Sequence, residues 1–490
     1  MKKLNGKSNN LLILIMNKVK HYDIAIPEAN PFQFCVLDRE KYAKALVSLV
    51  SKYQNGFVLS INNPWGTGKT TFIKMWQQLL VNHEFQTLYF NAWENDFDSD
   101  PLVAVISELK TLKGKKDDKL FKSMLQKAAV ISKNIVPGLL KAAAERYIKT
   151  EVLVDAVKGA AEGLTEIFKE EVNNYAKKKQ GLVEFREELE KYIDATTDGR
   201  PLVFIIDELD RCRPDYAVQV LEQVKHFFNV PGIVFVLSID KEQLGNAIKG
   251  YYGSDAMDSN EYLRRFIDTE FSLPVPERGV FAEYLFQYFD FASYFDTYSR
   301  KHSKETKGDG DDFITFSSIL FISAGLTLRQ QEKIMASARL ILNTFDPNHF
   351  VYPPLFVLLI YLKDFFPDFY KKLLHKDTLY QDIVDGLKEV YPNRISEDDY
   401  QPFLYVEVQL LVMYEKSLSS KGKGQQLTDK SADDKVRLLI KSNVDKSETG
   451  NSFLNLLKEF RNKREFSTSL NHLTDRINMM QGFVSDTGLP

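Results

Sequence analysis

The stretch INNPWGTGKTT, from Ile61 to Thr71, gives the strongest indication of the fold class. Its second half ends like the phosphate-binding pattern G-x-x-x-x-G-K-[ST], whereas Asn63 stands where that pattern has its first glycine. An apolar run, FVLSIN at 57–62, precedes the loop, and TTFIKMWQQLL after it carries apolar residues at helical spacing. The sequence therefore predicts a strand, a glycine-containing loop and a helix, in that order.

A loop of this kind binds phosphate because backbone N–H groups at a helix N-terminus converge on one small space. Gly66 and Gly68 keep that space open, since neither has a side chain to block it. Lys69 is placed to neutralise β- and γ-phosphates, and the hydroxyl of Thr70 is a ligand for Mg²⁺. Asn63 precedes a proline and is biased towards extended backbone, a shape that does not require glycine.

The segment PLVFIIDELD, at 201–210, supplies the complementary half of such a site. Its apolar run predicts a buried strand that ends at Asp207, where a carboxylate can hold Mg²⁺. Glu208 follows and is the candidate base that polarises an attacking water. Asp210 and Arg211 fit a surface ion pair and a functional role about equally well.

A further strand, GIVFVLSID at 232–240, bears on strand order. In NTPases that carry an extra catalytic glutamate, this strand lies between the loop-bearing strand and the strand that ends in the aspartate. Ser238 would then face the γ-phosphate and report on its presence. The alternative is helix capping, which suits Asp240 because Gln243 follows three residues later.

Strands that alternate with helices predict an α/β fold with a parallel sheet of the P-loop NTPase type. Lys69 and Asp207 are 138 residues apart, too far for one crossover, so a helical insertion is expected between them. A C-terminal all-helical region follows the sheet. The predicted divisions are an NTPase domain at 1–112 and 181–275, an insertion at 113–180, a helical domain at 276–416, a linker at 417–435 and a helical segment at 436–490.

Composition limits the classes of function. The chain has 64 Lys and Arg against 67 Asp and Glu, a balance that does not indicate a nucleic-acid coat protein, and no motif names a nucleic-acid partner. Two cysteines are too few for a disulfide framework and suit a reducing compartment. The apolar run at Leu11–Met16 is too short for a signal peptide and predicts a strand or short helix. We expect a cytoplasmic protein without a membrane span.

Several segments together resemble the KAP family of P-loop NTPases. They cover roughly residues 30 to 345 in the order of the family, and each is short. They are LDREKYAKALVSLV, NPWGTGKTT, FNAWEND, IIDELDRCRP, FVLSIDKEQLGNAIKGYYG, YLRRFIDTEFSLP and LTLRQQEKIM. Members usually have glycine at the position of Asn63, and many carry transmembrane helices between the two motifs, where this chain has a charged insertion.

The resemblance implies an additional-strand NTPase that binds ATP and Mg²⁺. Thr70 and Asp207 match its metal-binding positions, and Glu208 matches its catalytic acidic position. The residues predicted to bind nucleotide are Pro64, Trp65, Gly66, Thr67, Gly68, Lys69, Thr70 and Thr71.

The resemblance also suggests arginines that would stabilise transition-state charge. Arg264 or Arg265 stands where the family keeps a basic residue, which would act in cis or across the interface of a homo-oligomer. Without the family, YLRRF is equally a helix end whose charges face solvent. Arg329 is a candidate second sensor at the start of a helix, for which Thr327 and Gln330 predict a capping box.

Two functions of different classes suit these motifs. The first is an Mg²⁺-dependent ATPase whose cycle drives a conformational switch, and bacterial members of the family look like anti-phage defence components with a protein effector. The second is a scaffold that holds nucleotide with little turnover. Glu208 favours the first function, because a protein that only binds nucleotide needs no catalytic carboxylate.

Overall fold

A computed structural model describes the backbone of most of the chain. The described residues are 25–53, 55–97, 100–112, 119–128, 161–226, 228–277, 279–375, 377–391, 395–396, 399–418, 426–430, 436–447, 451–463 and 467–485, with backbone alone at 161–176, 178 and 480–485. The segment predicted at Leu11–Met16 and most of the predicted insertion lie outside them. The chain divides into two compact units between Val275 and Pro276.

The first unit alternates strands with helices. Residues 119–128 are also helical, and a 3₁₀ turn covers Leu209–Arg211. The remaining elements are α1 (Glu40–Lys52), β1 (Phe57–Asn62), α2 (Lys69–Asn82), β2 (Thr87–Asn91), α3 (Pro101–Leu109), α4 (Ala161–Thr196), β3 (Leu202–Asp207), α5 (Pro214–His226), β4 (Ile233–Ile239), α6 (Lys241–Tyr252), α7 (Ser259–Leu263) and β5 (Thr269–Phe271).

The five strands form one parallel sheet in the order β2-β3-β4-β1-β5. Strand β4 therefore lies between β1, which leads into the glycine-containing loop, and β3, which ends at Asp207. The predicted parallel α/β fold is confirmed. Because all five strands run in the same direction, their carboxyl ends meet at one edge, where parallel α/β sheets bind ligands.

Helices cover both faces of the sheet, as expected for parallel strands whose residues are buried on both sides. Apolar residues of α1 and α2, among them Val50 and Trp76, pack on one face against Leu59 and Val236. Residues of α3, α4, α5 and α6 pack on the other face. All six residues of β3 are buried, so their alternate side chains enter both cores.

Helix α4 corrects the predicted boundary of the insertion. It runs without a break from Ala161 to Thr196 and passes through the predicted boundary at 180 and 181. Its C-terminal half buries Phe185, Leu189 and Ile193 in the sheet core. A boundary inside a helix gives no signal in the sequence, because the helical periodicity is the same on both sides of it.

The second unit is mainly helical. Its helices are α8 (Val280–Tyr288), α9 (Ala292–Phe295), α10 (Tyr298–His302), α11 (Asp309–Ser323), α12 (Leu328–Leu342), α13 (Pro353–Phe365), α14 (Pro367–Leu374), α15 (Tyr380–Val390), α16 (Tyr400–Leu418), α17 (Asn451–Asn462) and α18 (Asn471–Ser485). Helix α13 is the centre of this unit, since its residues from Leu355 to Leu362 are all buried. The predicted C-terminal helical region is confirmed.

A small antiparallel sheet interrupts these helices. Strands β6 (Thr428–Lys430) and β7 (Val436–Leu438) pair with each other, and Leu427 beside them is fully buried. The predicted linker at 417–435 therefore contains ordered structure, and the predicted helical segment from 436 begins with a strand. Strands of three residues are too short to show the alternation by which a strand is recognised in sequence.

No helix among the described residues has the length and apolar character needed to cross a membrane.

Candidate nucleotide site

The loop between β1 and α2 has the backbone shape of an anion site. Gly66 and Gly68 adopt left-handed conformations, with φ of 78° and 80°. Gly68 caps α2 without a side chain, so the N-terminus of this helix presents its backbone N–H groups and the positive end of its dipole. The hydroxyl of Thr67 donates to the carbonyl of Pro64 over 2.8 Å and closes the loop on itself.

Trp65 is fixed to two carboxylates beyond the loop. Its backbone N–H donates to Asp240 Oδ2 over 3.2 Å, and its indole N–H donates to Asp210. Asp240 also caps α6 by accepting from the N–H of Gln243. Burial raises the pKa of Asp210 above its ordinary value, although the Trp65 bond acts in the opposite direction. The loop is thus held in shape by the elements that follow β3 and β4.

Asn63 makes contacts that glycine cannot make. Its side-chain NH₂ donates to the carbonyl of Leu273 over 2.9 Å, and its side-chain oxygen accepts from the N–H of Leu273 over 2.7 Å. Its backbone N–H, which a glycine would also have, donates to the carbonyl of Ile239 over 3.1 Å. The asparagine therefore fastens the start of the loop to the segment that follows β5, which gives a structural reason for the departure from the pattern.

We predict that Asn63→Gly lowers the free energy of unfolding by about 1 to 3 kcal/mol, since two hydrogen bonds are lost and glycine adds backbone entropy to the unfolded state. ATP affinity should not improve. Denaturant unfolding and equilibrium binding measure the two quantities. Asn63→Asp, which keeps the acceptor for Leu273 N–H and loses the donor, should be intermediate in stability. Tighter ATP binding by Asn63→Gly at unchanged stability would contradict this role.

Lys69 lies at the first position of α2 and is buried, with 8% of its surface exposed. Its ammonium group donates to the carbonyls of Asn63 and Pro64, the latter over 3.3 Å. Burial lowers the pKa of Lys69 below its ordinary value, although nearby carboxylates, Asp210 first among them, act in the opposite direction. The ammonium group thus lies folded back on the loop itself.

Polar residues line up across three strands at the carboxyl edge. Asn91 on β2 is in register with Asp207 on β3, and Asp207 is in register with Ser238 on β4. Ser238 is in turn in register with Ile61 on β1. Residues in register on parallel strands face the same side of the sheet. For this row, that side is the one covered by α2, whose N-terminus carries the loop.

Asp207 is almost completely buried, with 1% of its surface exposed. Its Oδ2 accepts from the hydroxyl of Tyr89 over 2.9 Å, and its Oδ1 accepts from the N–H of Glu208 over 2.9 Å. Burial and the neighbouring carboxylate of Asp207 raise the pKa of Tyr89, so this phenol stays protonated and keeps donating. The carboxylate orientation is therefore fixed by residues of the chain.

Glu208 has a left-handed backbone, with φ of 61°, which is uncommon for a residue with a side chain. Its Oε1 is 2.8 Å from Nη1 of Arg211, and its Oε2 accepts from the NH₂ of Asn91 over 3.4 Å. Asn91 is itself oriented, since its side-chain oxygen accepts from the N–H groups of Trp93 and Glu94. Burial raises the pKa of Glu208, and Arg211 acts to lower it.

Arg211 thus pairs with Glu208 rather than with Asp210, the neighbour considered from the sequence. Its guanidinium also lies over the ring of Trp93, 5.6 Å from the centroid. Ser238 is completely buried, and among the described residues its hydroxyl has no hydrogen-bond partner. The role of Ser238 as a γ-phosphate sensor stays a prediction.

Arg264 and Arg265 are not brought to this edge by their own chain. Both are exposed at the end of α7, and the ion pair that Arg264 forms is with Glu261. Asp268, three residues after Arg265, donates its N–H to the carbonyl of Val58 at the start of β1. The loop begins five residues later on β1, about 16 Å further along the strand. The role of Arg264 or Arg265 as an arginine finger, in cis or across an interface, stays a prediction.

Arg329 belongs to the second unit, at the N-terminus of α12. The predicted capping box is confirmed there, because Thr327 and Gln330 exchange side-chain to backbone hydrogen bonds. The second sensor role of Arg329 stays a prediction.

Sequence reasoning missed two residues of this edge, Tyr89 and Asn91. Tyr89 and Asn91 are two residues apart on β2, so their side chains lie on the same face of the sheet as that of Asp207. Only the position of β2 beside β3 makes them neighbours of this carboxylate. The one signal available in the sequence was a polar residue at the end of a predicted strand, and Asn91 is such a residue.

Comparison with known proteins agrees with this geometry. The family model described as the KAP family P-loop domain matches residues 39–473. The chain belongs to the KAP family of P-loop NTPases. The KAP match includes the loop, Asp207 and most of the second unit, and the resemblance read from the sequence is confirmed. The chain thus carries a nucleotide-binding P-loop domain of this family.

Two further likenesses accompany the KAP match. The chain is 27% identical over 176 residues to uncharacterized protein MJ0182 of Methanocaldococcus jannaschii, which covers 31% of this chain and 89% of that protein. A structure of the ORC2 protein of Aeropyrum pernix, in ADPNP and ADP complexes, aligns over 92% of this chain and 95% of that chain. Its sequence identity is 12% and its TM-score 0.28, too low to establish a shared fold.

Proposed function

We propose that this KAP protein binds and hydrolyses ATP with Mg²⁺ and uses the cycle to drive a conformational switch. The observation that carries the proposal is the meeting, at one edge of the sheet, of the loop at the N-terminus of α2 with Asp207 and Glu208 at the end of β3. An anion site next to a fixed carboxylate and a candidate base supplies the parts that phosphoryl transfer to water requires.

The loop between β1 and α2 binds the phosphates. Backbone N–H groups from Gly66 to Thr71 surround them, and the left-handed glycines leave room for their close approach. Lys69 releases the carbonyls of Asn63 and Pro64 and moves its ammonium group onto the phosphates. This exchange is favourable because a buried ammonium group trades two neutral acceptors for charged ones.

The residues present fit Mg²⁺ bound together with a nucleotide. Among the described residues no group of three or more His, Cys, Asp or Glu side chains forms a metal site. Mg²⁺ commonly binds through one or two protein oxygens together with substrate phosphates. The Thr70 hydroxyl at the start of α2 and the Asp207 carboxylate would be those oxygens here. When bound, the ion neutralises charge that develops on the phosphates.

Glu208 acts on the attacking water. Its raised pKa makes it a stronger base than an ordinary glutamate, and Asn91 and Arg211 fix the direction of its carboxylate. Each carboxylate oxygen keeps a second acceptor site for the water proton. Ser238, whose hydroxyl has no partner among the described residues, reports on the γ-phosphate.

The remaining parts of the proposal rest on the family. They are ATP as the preferred nucleotide, a cytoplasmic site of action, a protein effector, and a role in bacterial anti-phage defence. Arg264 and Arg265 lie away from the loop of their own chain, so as arginine fingers they would have to act on a second copy in a homo-oligomer.

The test is phosphate release from ATP by the purified protein. We expect turnover with Mg²⁺, no turnover with EDTA, and slower turnover with GTP. Lys69→Ala, prepared in parallel, measures any contaminating ATPase. Tight ATP binding without turnover by the wild-type protein would reject hydrolysis and favour the nucleotide-holding scaffold.

A further inference from the structure

Arg39, the residue before α1, is a buried arginine that contacts the nucleotide loop. Only 4% of its surface is exposed. Its Nη2 donates to the carbonyl of Thr67 over 3.0 Å, and its Nη1 donates to the carbonyl of Gly68 over 3.4 Å. The planar guanidinium thus bridges two consecutive carbonyls of the loop, with one terminal nitrogen on each, in the fixed fork geometry of an arginine.

These two contacts favour one orientation of the loop N–H groups, although the carbonyl of Gly68 also accepts from the N–H of Phe72 over 3.1 Å. In a trans peptide the C=O of one residue and the N–H of the next point in opposite directions. Because Arg39 holds the carbonyls of Thr67 and Gly68, the N–H groups of Gly68 and Lys69 face away from the guanidinium. Those N–H groups begin α2 and belong to the predicted phosphate cradle.

The charge of Arg39 is not balanced within the described part of the chain. Among those residues Arg39 has no carboxylate partner, and its Nε has no hydrogen-bond partner. Burial lowers the pKa of its guanidinium, which nevertheless stays protonated at physiological pH. A buried charge without a counter-charge is unfavourable, and an anion bound near it removes part of that cost.

We propose that Arg39 is a positioning residue of the phosphate site, which turns the N–H groups of Gly68 and Lys69 towards the phosphates, and that the bound phosphates partly offset its charge from the far side of these peptides. The proposal rests on nucleotide binding by this loop and adds a residue outside the P-loop and Asp207 motifs.

The test compares Arg39→Met and Arg39→Lys with the wild-type protein, using ADP and AMP as ligands in EDTA. Arg39→Met should bind ADP about 10- to 100-fold more weakly, since it loses two anchored peptides and one charge. Arg39→Lys restores charge without the fork and should be intermediate. AMP affinity should change much less, because AMP lacks the β-phosphate that the cradle holds. Arg200→Met is the matched control, since Arg200 holds a loop carbonyl, that of His83, with an exposed guanidinium.

Thermal unfolding distinguishes this role from a merely structural one. Free Arg39→Met should unfold at the wild-type temperature or above it, because an unbalanced buried charge has been removed, and ADP should stabilise it less than the wild-type protein. Equal ADP affinity in Arg39→Met and wild type, or equal losses for ADP and AMP, would overturn the role of Arg39. A wild-type protein that binds no ADP would overturn the proposed function together with it.

Discussion

Glu208→Gln should hydrolyse ATP at least about 100-fold more slowly than the wild-type protein, as expected when a general base is lost. Its ATP affinity should stay within about threefold, because Glu208 follows the carboxyl end of β3 and is not part of the phosphate cradle. Glutamine keeps the size of the side chain and an oxygen for Arg211, so the local structure should survive. Steady-state phosphate release and equilibrium binding measure the two effects.

The pH dependence of turnover gives a second measure of Glu208. Only its deprotonated form accepts a proton, and burial raises its pKa above the ordinary value of 4.5. Wild-type turnover should therefore fall as the pH is lowered through this raised pKa, while the protein is still folded. Glu94→Gln is a suitable control, since Glu94 is an exposed carboxylate on the turn that follows Asn91. If Glu94→Gln and Glu208→Gln slow turnover equally, general charge at the edge explains the effect and the base assignment is wrong.

Lys69→Ala should bind ATP at least about 100-fold more weakly, equivalent to about 2.7 kcal/mol. The variant loses a cation that donates to β- and γ-phosphates from a site largely shielded from water, where such bonds are strong. The free protein should keep its stability within about 1 kcal/mol, because the partners that Lys69 gives up are two neutral carbonyls.

Lys44→Ala is the matched control for Lys69→Ala. Lys44 lies on the neighbouring helix α1, with an exposed ammonium group paired to Glu40, and should leave ATP affinity unchanged. ATP affinity of Lys69→Ala equal to that of the control would mean that the loop at 63–70 is not the nucleotide site. Isothermal titration of both variants, with circular dichroism to check folding, makes the comparison.

The candidate site at the carboxyl edge of the sheet could be predicted from sequence because its parts are local. The loop, Lys69 and Thr70 are contiguous, and Asp207 and Glu208 are adjacent at the end of an apolar run. A parallel sheet brings the carboxyl ends of its strands to one edge, which joins the two segments across 138 residues without further information. The strand predicted for FVLSIN, at 57–62, has the same limits in the structure, because its apolar run is also local.

The supporting residues could not be predicted in this way. Arg39 lies 28 positions before Thr67, the loop residue that it contacts. The spacing of apolar residues does not predict how the chain between them folds. Asn63 seemed a departure to be tolerated, whereas its side chain fastens the loop to Leu273, 210 residues away. Arg264 and Arg265 seemed close to the site by family position, but the direction of β5 puts them at the opposite edge.

The identity of the nucleotide that stays bound after a single turnover tests whether ATP is hydrolysed at this edge of the sheet. Wild-type protein and Glu208→Gln would each be incubated, in excess over radiolabelled ATP, in a buffer that contains Mg²⁺. Each protein would then be passed over a desalting column and denatured, and the released nucleotide would be analysed for ATP and ADP. We predict that the wild-type protein holds mainly ADP and that Glu208→Gln holds mainly intact ATP. Intact ATP on both proteins, or equal conversion to ADP by both, would contradict hydrolysis at this edge of the sheet.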